Sequence, residues 1–278
     1  MCDYARIETG VSLMRHLLAL AAFACLTAAA QGAEVTDTLP GRPAVTYEAL
    51  LRQAMPDLAR DGEDWTATDI PGLRYLSGEA SEGGVTFSAV ETAELKSDGR
   101  PVLALLTASP SGGGFSSVLA LYDMTAPVPR LIDAVDAGLD RFTDLDSAIA
   151  LSPDTGALVI DGWHDNSSES YDVKAFAFLH EHRITLILEM LAYGARTCGW
   201  MTTEQGRYDI RPDAGVRYAA IEATIVQETT RQAEDCGDDS KPLAPEGKQT
   251  FTDIYRWDEA KGAYTSATAN LAKALGPE

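Results

Sequence analysis

Basic side chains are scarce in this chain of 278 residues, which has 22 Lys and Arg against 42 Asp and Glu and a formal net charge of −20. A protein that follows nucleic-acid phosphates needs a basic stripe, and one that docks on an anionic membrane by charge needs a basic patch. Hydrophobic residues make up 45% and charged residues 23% of the chain, which is typical of a folded domain. The composition therefore predicts an acidic globular protein with no nucleic-acid partner.

The sequence also lacks the motifs of common enzyme mechanisms. It contains neither a G-x-S-x-G nucleophile elbow nor an S-x-x-K motif. The glycines at 112–114 are not followed by a helical pattern, so no phosphate or dinucleotide loop is indicated. Only three histidines follow residue 33, namely His164, His180 and His182, and a Ser-His-Asp triad would have to use one of them. The sequence predicts no cofactor and favours a protein that is not an enzyme.

Long apolar runs are absent after residue 33, and the one before it is short. The basic start at 14–16 precedes an apolar run at 17–26 and then small residues at 28–33. This order is typical of a secretory signal peptide, and the run is shorter than the roughly 20 residues of a spanning helix. Residues 1–33 are therefore predicted to be a signal peptide and 34–278 a single exported β-rich domain, periplasmic or secreted, without a transmembrane segment.

The details of the leader leave alternatives. Cleavage after Ala30 places Ala at both specificity positions, but cleavage after Gly32 or Ala33 also fits. Residues 1–13 carry no targeting pattern, so Met14 is predicted to be the true start. Two other interpretations are a buried core helix and a lipoprotein whose lipidated residue is Cys25. Removing 1–33 takes away two acidic and two basic residues, so the net charge stays at −20.

Cysteine is also rare, with four residues in the chain. Two of them fall in the predicted leader, which leaves Cys198 and Cys236. An even pair in an oxidising compartment predicts a disulfide, which would stabilise the fold by about 3–4 kcal/mol on the chain-entropy model. The spacing matches neither a redox CxxC motif nor a zinc knuckle. Two free buried thiols are the alternative.

Hydrophobic periodicity predicts a mostly β fold. A short N-terminal helix is indicated after Thr46, a plausible N-cap, and it should end near Pro56. From Val85 onward the pattern alternates with period two, and 102–108 is apolar on both faces, as in a central strand. Ten to twelve strands with close turn signals predict an antiparallel meander, built as a sandwich, a barrel or a propeller-like stack. A short helix is predicted at 267–275, before Pro277.

The richest polar stretch, 161–171, lies between two predicted strands, where binding loops usually occur. Its side chains could converge on a polar ligand or a cation. The candidate binding residues are Asp161, His164, Asp165, Asn166 and Tyr171. The competing interpretation is a solvated hairpin loop whose Asp, Asn and Ser side chains bond to their own backbone.

Metal binding is considered at two places, and no metal residue is assigned. His180 and His182 could offer two imidazoles, but no third ligand follows from the spacing. Five aspartates could supply oxygen ligands to calcium, although they lack the order of an EF-hand loop. They are Asp133, Asp136, Asp140, Asp144 and Asp146.

Short motifs at 164–171, 198–199, 235–237 and 255–258 resemble a family of exported proteobacterial proteins with no assigned activity. The resemblance covers the C-terminal half and implies a periplasmic setting, but no functional residue. The leading hypothesis is a non-enzymatic binding or structural module whose partner is an unknown protein or small molecule. The alternatives are an envelope hydrolase that uses the His164 loop and a structural module stabilised by calcium.

Overall fold

The computed structural model describes residues 28–79, 81, 84–108, 116–139, 142–233 and 241–275. These residues form antiparallel sheets with a single short α-helix, so the predicted mostly β class is confirmed. The two larger sheets are open and stacked, and the described strands do not close into a barrel.

The strands follow one another along the chain with short connections. They are β1 (Ala28–Ala29), β2 (Gln31–Glu34), β3 (Thr38–Leu39), β4 (Arg42–Thr46), β5 (Ala59–Asp61), β6 (Asp64–Ala67), β7 (Val85–Phe87), β8 (Ala89–Ser97), β9 (Arg100–Ala108), β10 (Val118–Asp123), β11 (Arg130–Asp136), β12 (Phe142–Ser152), β13 (Thr155–Asp165), β14 (Glu169–His180), β15 (Arg183–Thr197), β16 (Trp200–Arg211), β17 (Ala220–Arg231), β18 (Gly247–Asp258) and β19 (Ala263–Ser266). The helix α1 spans Tyr47–Ala54, and a 3₁₀ turn spans Leu271–Lys273.

The largest sheet is a meander in which β12 to β19 pair in chain order and β1 adds to the outer edge of β12. The ladder between β15 and β16 is short, since it joins only Ala195–Thr197 to Trp200–Thr202. Beyond that corner the two strands have no backbone pairing with each other. The sheet therefore divides into a front half, β12–β15, and a back half, β16–β19, which pack face to face.

The second sheet has five strands in the order β11-β10-β9-β8-β2. It is buried on both faces, which explains why 103–106 in β9 and 118–122 in β10 are apolar without alternation. The prediction of a central strand at 102–108 is confirmed. The face toward α1 and the small N-terminal strands forms one core, and the face toward the front half of the large sheet forms another.

A third core fills the space between the two halves of the large sheet. Phe178 contacts Trp257, Tyr218 and Tyr264 edge-on there, with ring centroids 5.7–5.9 Å apart. Such edge-to-face contacts add to the free energy gained by burying the rings. The molecule is thus a stack of sheet layers with apolar cores between them, close to the sandwich among the predicted alternatives.

The N-terminal helix forms as predicted. The Thr46 hydroxyl accepts a hydrogen bond from the Ala49 amide at 3.1 Å, so Thr46 is the N-cap, and the helix ends at Ala54, just before Pro56. One face of the helix is buried against β11 and β4. The Tyr122 hydroxyl in β10 donates to the carbonyl of Leu50 at 2.9 Å and so fixes the helix to the five-stranded sheet.

Two predicted elements differ from the structure, and one strand was not predicted. The C-terminal helix at 267–275 is reduced to the 3₁₀ turn, because Asp253 accepts hydrogen bonds from the amides of Asn270 and Leu271 and holds the segment against β18. The single strand expected from Val85 is two strands, which pair in different sheets. The polar strand β16 has half-buried inward residues and shows no apolar alternation.

Candidate functional site

The predicted binding residues lie at one end of the β13–β14 ladder, called the loop end here, and they are divided between the two faces of the sheet. Asp161 pairs across the ladder with Lys174, and His164 pairs with Tyr171. Side chains alternate between the two faces of a strand. Asp161 therefore lies on one face of the sheet, whereas His164 and Tyr171 lie on the other.

The loop end is held together by its own side chains. The Asn166 side-chain oxygen accepts hydrogen bonds from the Ser168 and Glu169 amides, each at 2.9 Å, and from the Ser168 hydroxyl. The rings of His164 and Tyr171 stack at 5.2 Å, with 10° between their planes. This geometry is the self-capped hairpin loop that competed with a binding loop in the sequence interpretation.

Asp165 and Asn166 line a shallow depression of about 170 Å³ with the rest of the loop and residues 194–196. Its surface is mostly polar and open to solvent. A Cβ at Gly194 would lie 2.5 Å from the Ser170 hydroxyl, so this wall is close-packed. Ala195 and Met201 are the apolar side chains other than glycine in its lining.

Asp161 forms an ion pair with Lys174, whose Nζ donates to Oδ2 of the carboxylate. The other carboxylate oxygen is buried and has no hydrogen-bond partner among the described residues. Burial raises the pKa of Asp161, and Lys174 offsets that only in part. For Lys174, burial opposes protonation, but Asp161 raises its pKa. The pair is a costly half-buried element of the sheet, because Lys174 satisfies only one of the two Asp161 carboxylate oxygens.

The other polar candidates also lie apart. His180 stacks against Phe178 and contacts Trp257 edge-on. His182 makes neither contact and lines the pocket described below. Asp133 is paired with Arg74 at 2.7 Å, and Asp136 accepts from the Ser117 and Gly138 amides. Asp140 lies outside the described residues. In the part of the chain that the structure describes, no three His, Cys, Asp or Glu side chains are grouped to hold a metal ion.

A better-formed cavity lies at the opposite end of the strands, between two hairpin turns. We call it the turn pocket, and its volume is about 180 Å³. One turn, Asp98–Gly99, joins β8 to β9, and the other, Glu181–His182, joins β14 to β15. The pocket is lined by Ser97, Asp98, Arg100, Val102, Asp123, Ile132, Leu179, Glu181 and His182.

The backbone around the turn pocket is strained. Asp98, Glu181 and His182 have φ values of 50°, 48° and 64°, and they are the non-glycine residues with positive φ in the described part of the chain. Two-residue hairpin turns with positive φ at both positions favour Asn-Gly or Asp-Gly. Asp98–Gly99 fits that preference, but Glu181–His182 does not, and this conformation costs about 1–2 kcal/mol for each such residue.

The lining of the turn pocket combines three apolar side chains, called its floor here, with five charged or titratable side chains, called its rim. Val102 and Leu179 are buried and Ile132 is half-buried beneath the opening. The rim has three carboxylates, on Asp98, Asp123 and Glu181, against the guanidinium of Arg100 and the imidazole of His182. An apolar floor with a few convergent polar groups is the usual form of a small-ligand site.

Neighbouring residues fix the positions of the rim groups. The Gly99 amide donates to the Asp154 carbonyl at 2.8 Å, and Arg217 binds the Asp98 carboxylate at 2.6 Å. Hydrogen bonds from the Thr125 hydroxyl and amide lower the pKa of Asp123, and Arg100 lowers it further. Asp123 is therefore a carboxylate at neutral pH, and it lines the same pocket as the Glu181–His182 turn.

Sequence reasoning considered His182 only as a possible metal ligand and assigned no site to either turn. The signal that could have found the pocket is the Glu181–His182 dipeptide itself. A two-residue hairpin loop without Gly or Asn violates the turn preference. That turn meets Asp98 and Asp123 only because the two sheets pack together, and local sequence patterns do not predict this packing.

Cys198 is disulfide-bonded and lies in the turn between β15 and β16. Every other cysteine, Cys236 included, is outside the described residues, so no disulfide pair is seen within them. The pairing of Cys198 with Cys236 stays a prediction.

The chain was compared with known proteins at three levels, and no family model, curated protein or solved structure matches it. The resemblance to exported proteobacterial proteins therefore also stays a prediction. No helix in the described part of the chain is long and apolar enough to cross a membrane.

Proposed function

We propose that this chain is an exported binding module that holds a small organic amine in the turn pocket. The observation that supports the ligand site best is the clustering of strain, since the three non-glycine residues with positive φ all line this one cavity. Strained backbone persists where the surrounding structure holds it, and it is concentrated at ligand sites.

The ligand class follows from the walls of the pocket. A cavity of about 180 Å³ accommodates only a small molecule. Its apolar floor favours an alkyl or aryl body, and carboxylates outnumber basic groups at its rim. A net charge of −20 on the chain also attracts cations over a distance. A primary amine with a short apolar chain satisfies all three conditions.

The ligand proposal is tested by calorimetric titration with n-hexylamine, n-hexanol and n-hexanoate, which share the same apolar chain. We expect hexylamine to bind tightest and hexanoate weakest. Glu181→Gln and Asp123→Asn should each weaken hexylamine binding by about ten-fold, the loss of one charge pair. Glu169→Gln at the loop end is the matched control and should change nothing. Equal affinities for the three compounds, or binding insensitive to both pocket variants, would contradict the proposal.

Export is the second part of the proposal, and the leader pattern at 14–33 supports it. Gln31–Glu34 pairs with Ala89–Thr92 at the edge of the five-stranded sheet. Cleavage after Ala30 preserves this strand, whereas cleavage after Gly32 or Ala33 removes part of it. We therefore propose Gln31 as the mature N-terminus.

Intact mass of the protein recovered from the periplasm tests export directly. We expect a product that starts at Gln31 and contains no free thiol, because Cys198 and Cys236 pair there. A product that retains the leader, or one with two titratable thiols, would contradict this part of the proposal.

The hydrolase alternative receives no support from the described geometry. The His164 ring stacks on Tyr171, and its Nε2 is 3.4 Å from the side-chain nitrogen Nδ2 of Asn166. Both contacts are with residues of the same hairpin. The calcium alternative would need the aspartates to converge, and the described ones are divided between the two larger sheets.

A further inference from the structure

The outer edge of β12 is where this structure places a strand from the proposed leader. Ala28 pairs with Ala148 and Ala29 with Ser147, antiparallel, and these two residues are all of β1. The proposed cleavage after Ala30 separates β1 from the rest of the protein. In the exported protein β12 is then the edge strand of the large sheet.

The two halves of the β12 edge differ in how well they are protected against pairing with another strand. The first half carries the exposed carboxylates of Asp144 and Asp146, and the Leu145 amide is capped by the carboxylate of Glu91. The second half, residues 147–152, has the sequence Ser-Ala-Ile-Ala-Leu-Ser, with neither a charge nor a proline. Charges and prolines are the usual means by which proteins prevent an edge strand from pairing.

The other sheet edges are shorter or carry charges. β19 and β2 have four residues each, and β2 ends with Glu34. β11 includes Arg130 and Asp133, and Tyr75 forms a bridge to its last residue. Residues 147–152 are therefore an uncharged stretch of edge, and the Leu151 carbonyl within it already accepts a hydrogen bond from the Ala219 amide at 2.7 Å.

An apolar groove of about 170 Å³ runs beside this edge, between β12 and the β8–β9 hairpin. Its apolar lining consists of Leu95, Pro101, Ala148, Ile149, Ala150 and Pro153. A strand that continued the register of β1 would lie opposite Ile149 and Ala150, before the occupied Leu151 carbonyl, and would place its side chains at this groove. A backbone edge beside a side-chain pocket is the arrangement by which a sheet captures an extended peptide.

We infer that the edge of β12 in the exported protein binds an extended peptide segment of a partner protein, one rich in small apolar side chains. The chemistry of the occupant is taken from β1, since a pair of alanines is what the edge holds in this structure. The inference rests on the proposed removal of the leader, and it is independent of the amine ligand. A second copy of this chain is the competing occupant.

The test uses protein recovered from the periplasm, with its N-terminus read by intact mass, and a labelled peptide of residues 22–30 carrying Cys25→Ser. We expect saturable binding by fluorescence anisotropy. Ala150→Lys, which places a charge on the edge beside the groove, should weaken it by about ten-fold or more. Thr265→Lys on the other edge, β19, is the matched control and should bind like wild type. Circular dichroism and the melting temperature establish that both variants are folded.

Each other outcome overturns a defined statement. If the leader is retained in the exported protein, export with cleavage and this inference both fail. If the leader is removed but the peptide does not bind, or binds equally well to Ala150→Lys, only the inference fails. If sedimentation shows a dimer that Ala150→Lys dissociates while the peptide does not bind, the occupant is a second copy and the peptide inference is wrong.

Discussion

The loop end and the turn pocket lie at opposite ends of the same strands, and they use polar residues in opposite ways. At the loop end Asn166 satisfies the backbone of its own hairpin, and no described non-glycine residue there has positive φ. At the turn pocket, Glu181 and His182 keep a strained conformation above an apolar floor. A stretch rich in polar residues therefore indicates a solvated loop as readily as a binding site. Strained backbone beside a cavity is a stronger indication of a site, because local hydrogen bonding does not explain it.

The largest expected effect concerns the floor of the turn pocket. Leu179→Ala removes a buried side chain and should lower the free energy of unfolding by about 2–5 kcal/mol. It should also weaken hexylamine binding, because the ligand loses its apolar contact. Val173→Ala, in the same strand toward the loop end, should reduce stability without changing hexylamine affinity. Chemical denaturation and calorimetry measure both. If folded Leu179→Ala binds hexylamine as tightly as wild type, the turn pocket is not the binding site and the two ends do not differ in this respect.

The next effect concerns strain in the Glu181–His182 turn. Replacing the dipeptide with Asn-Gly, by Glu181→Asn and His182→Gly together, should raise the free energy of unfolding by about 1–2 kcal/mol. Hexylamine binding should weaken in the same protein, because a rim carboxylate is lost. Ser167→Gly at the loop end should give no gain in stability. A turn variant less stable than wild type would show that the strain is not what distinguishes the two ends.

A smaller effect is expected from the cap at the loop end. Asn166→Ala leaves the Ser168 and Glu169 amides without their acceptor and should cost about 1 kcal/mol. Ligand binding should be unchanged, since this loop is at the far end of the strands. Asn166→Asp keeps the acceptor and serves as the control for stability. If Asn166→Ala loses hexylamine affinity, the ligand binds at the loop end and the proposed site is wrong.

The smallest effect lies between the two ends, at Glu91, whose pKa is raised by burial. Because the folded-state pKa lies above the unfolded one, the carboxylate costs no stability below the unfolded pKa. The cost grows as the pH rises and is complete above the raised pKa. Glu91→Gln cannot ionise, so it should match wild type within about 0.5 kcal/mol near pH 3.5 and be the more stable protein near pH 7.5. Urea unfolding at both pH values measures the difference, and equal stabilities at pH 7.5 would contradict it.

The fold was predictable where local patterns act alone. The N-cap at Thr46, the helix end before Pro56 and the central strand at 102–108 all follow from capping, proline geometry and apolar runs. The strand β16 was not predictable, because its inward residues are half-buried and include Glu204 and Gly206. Glu204 is accommodated there by accepting hydrogen bonds from the Tyr193 and Leu275 amides, which the local sequence does not show.

The candidate site was less predictable than the fold. The sequence placed 161–171 between two strands, whereas β13 runs to Asp165 and therefore puts Asp161 and His164 on opposite faces of one strand. The turn pocket combines Asp98 and Glu181, from two hairpin turns, with Asp123 at the end of β10, and only the stacking of the sheets brings them together. The disagreement of Glu181–His182 with hairpin-turn preferences was the single local signal of that site.

The most direct test of the central claim is a backbone amide NMR titration of the exported protein with n-hexylamine. The claim predicts that the largest changes in amide chemical shift occur at Asp98, Gly99, Glu181 and His182. The amide chemical shifts of residues 166–168 should not change. Saturable changes at 166–168 with none at the two turns would contradict it and would return the binding site to the loop end.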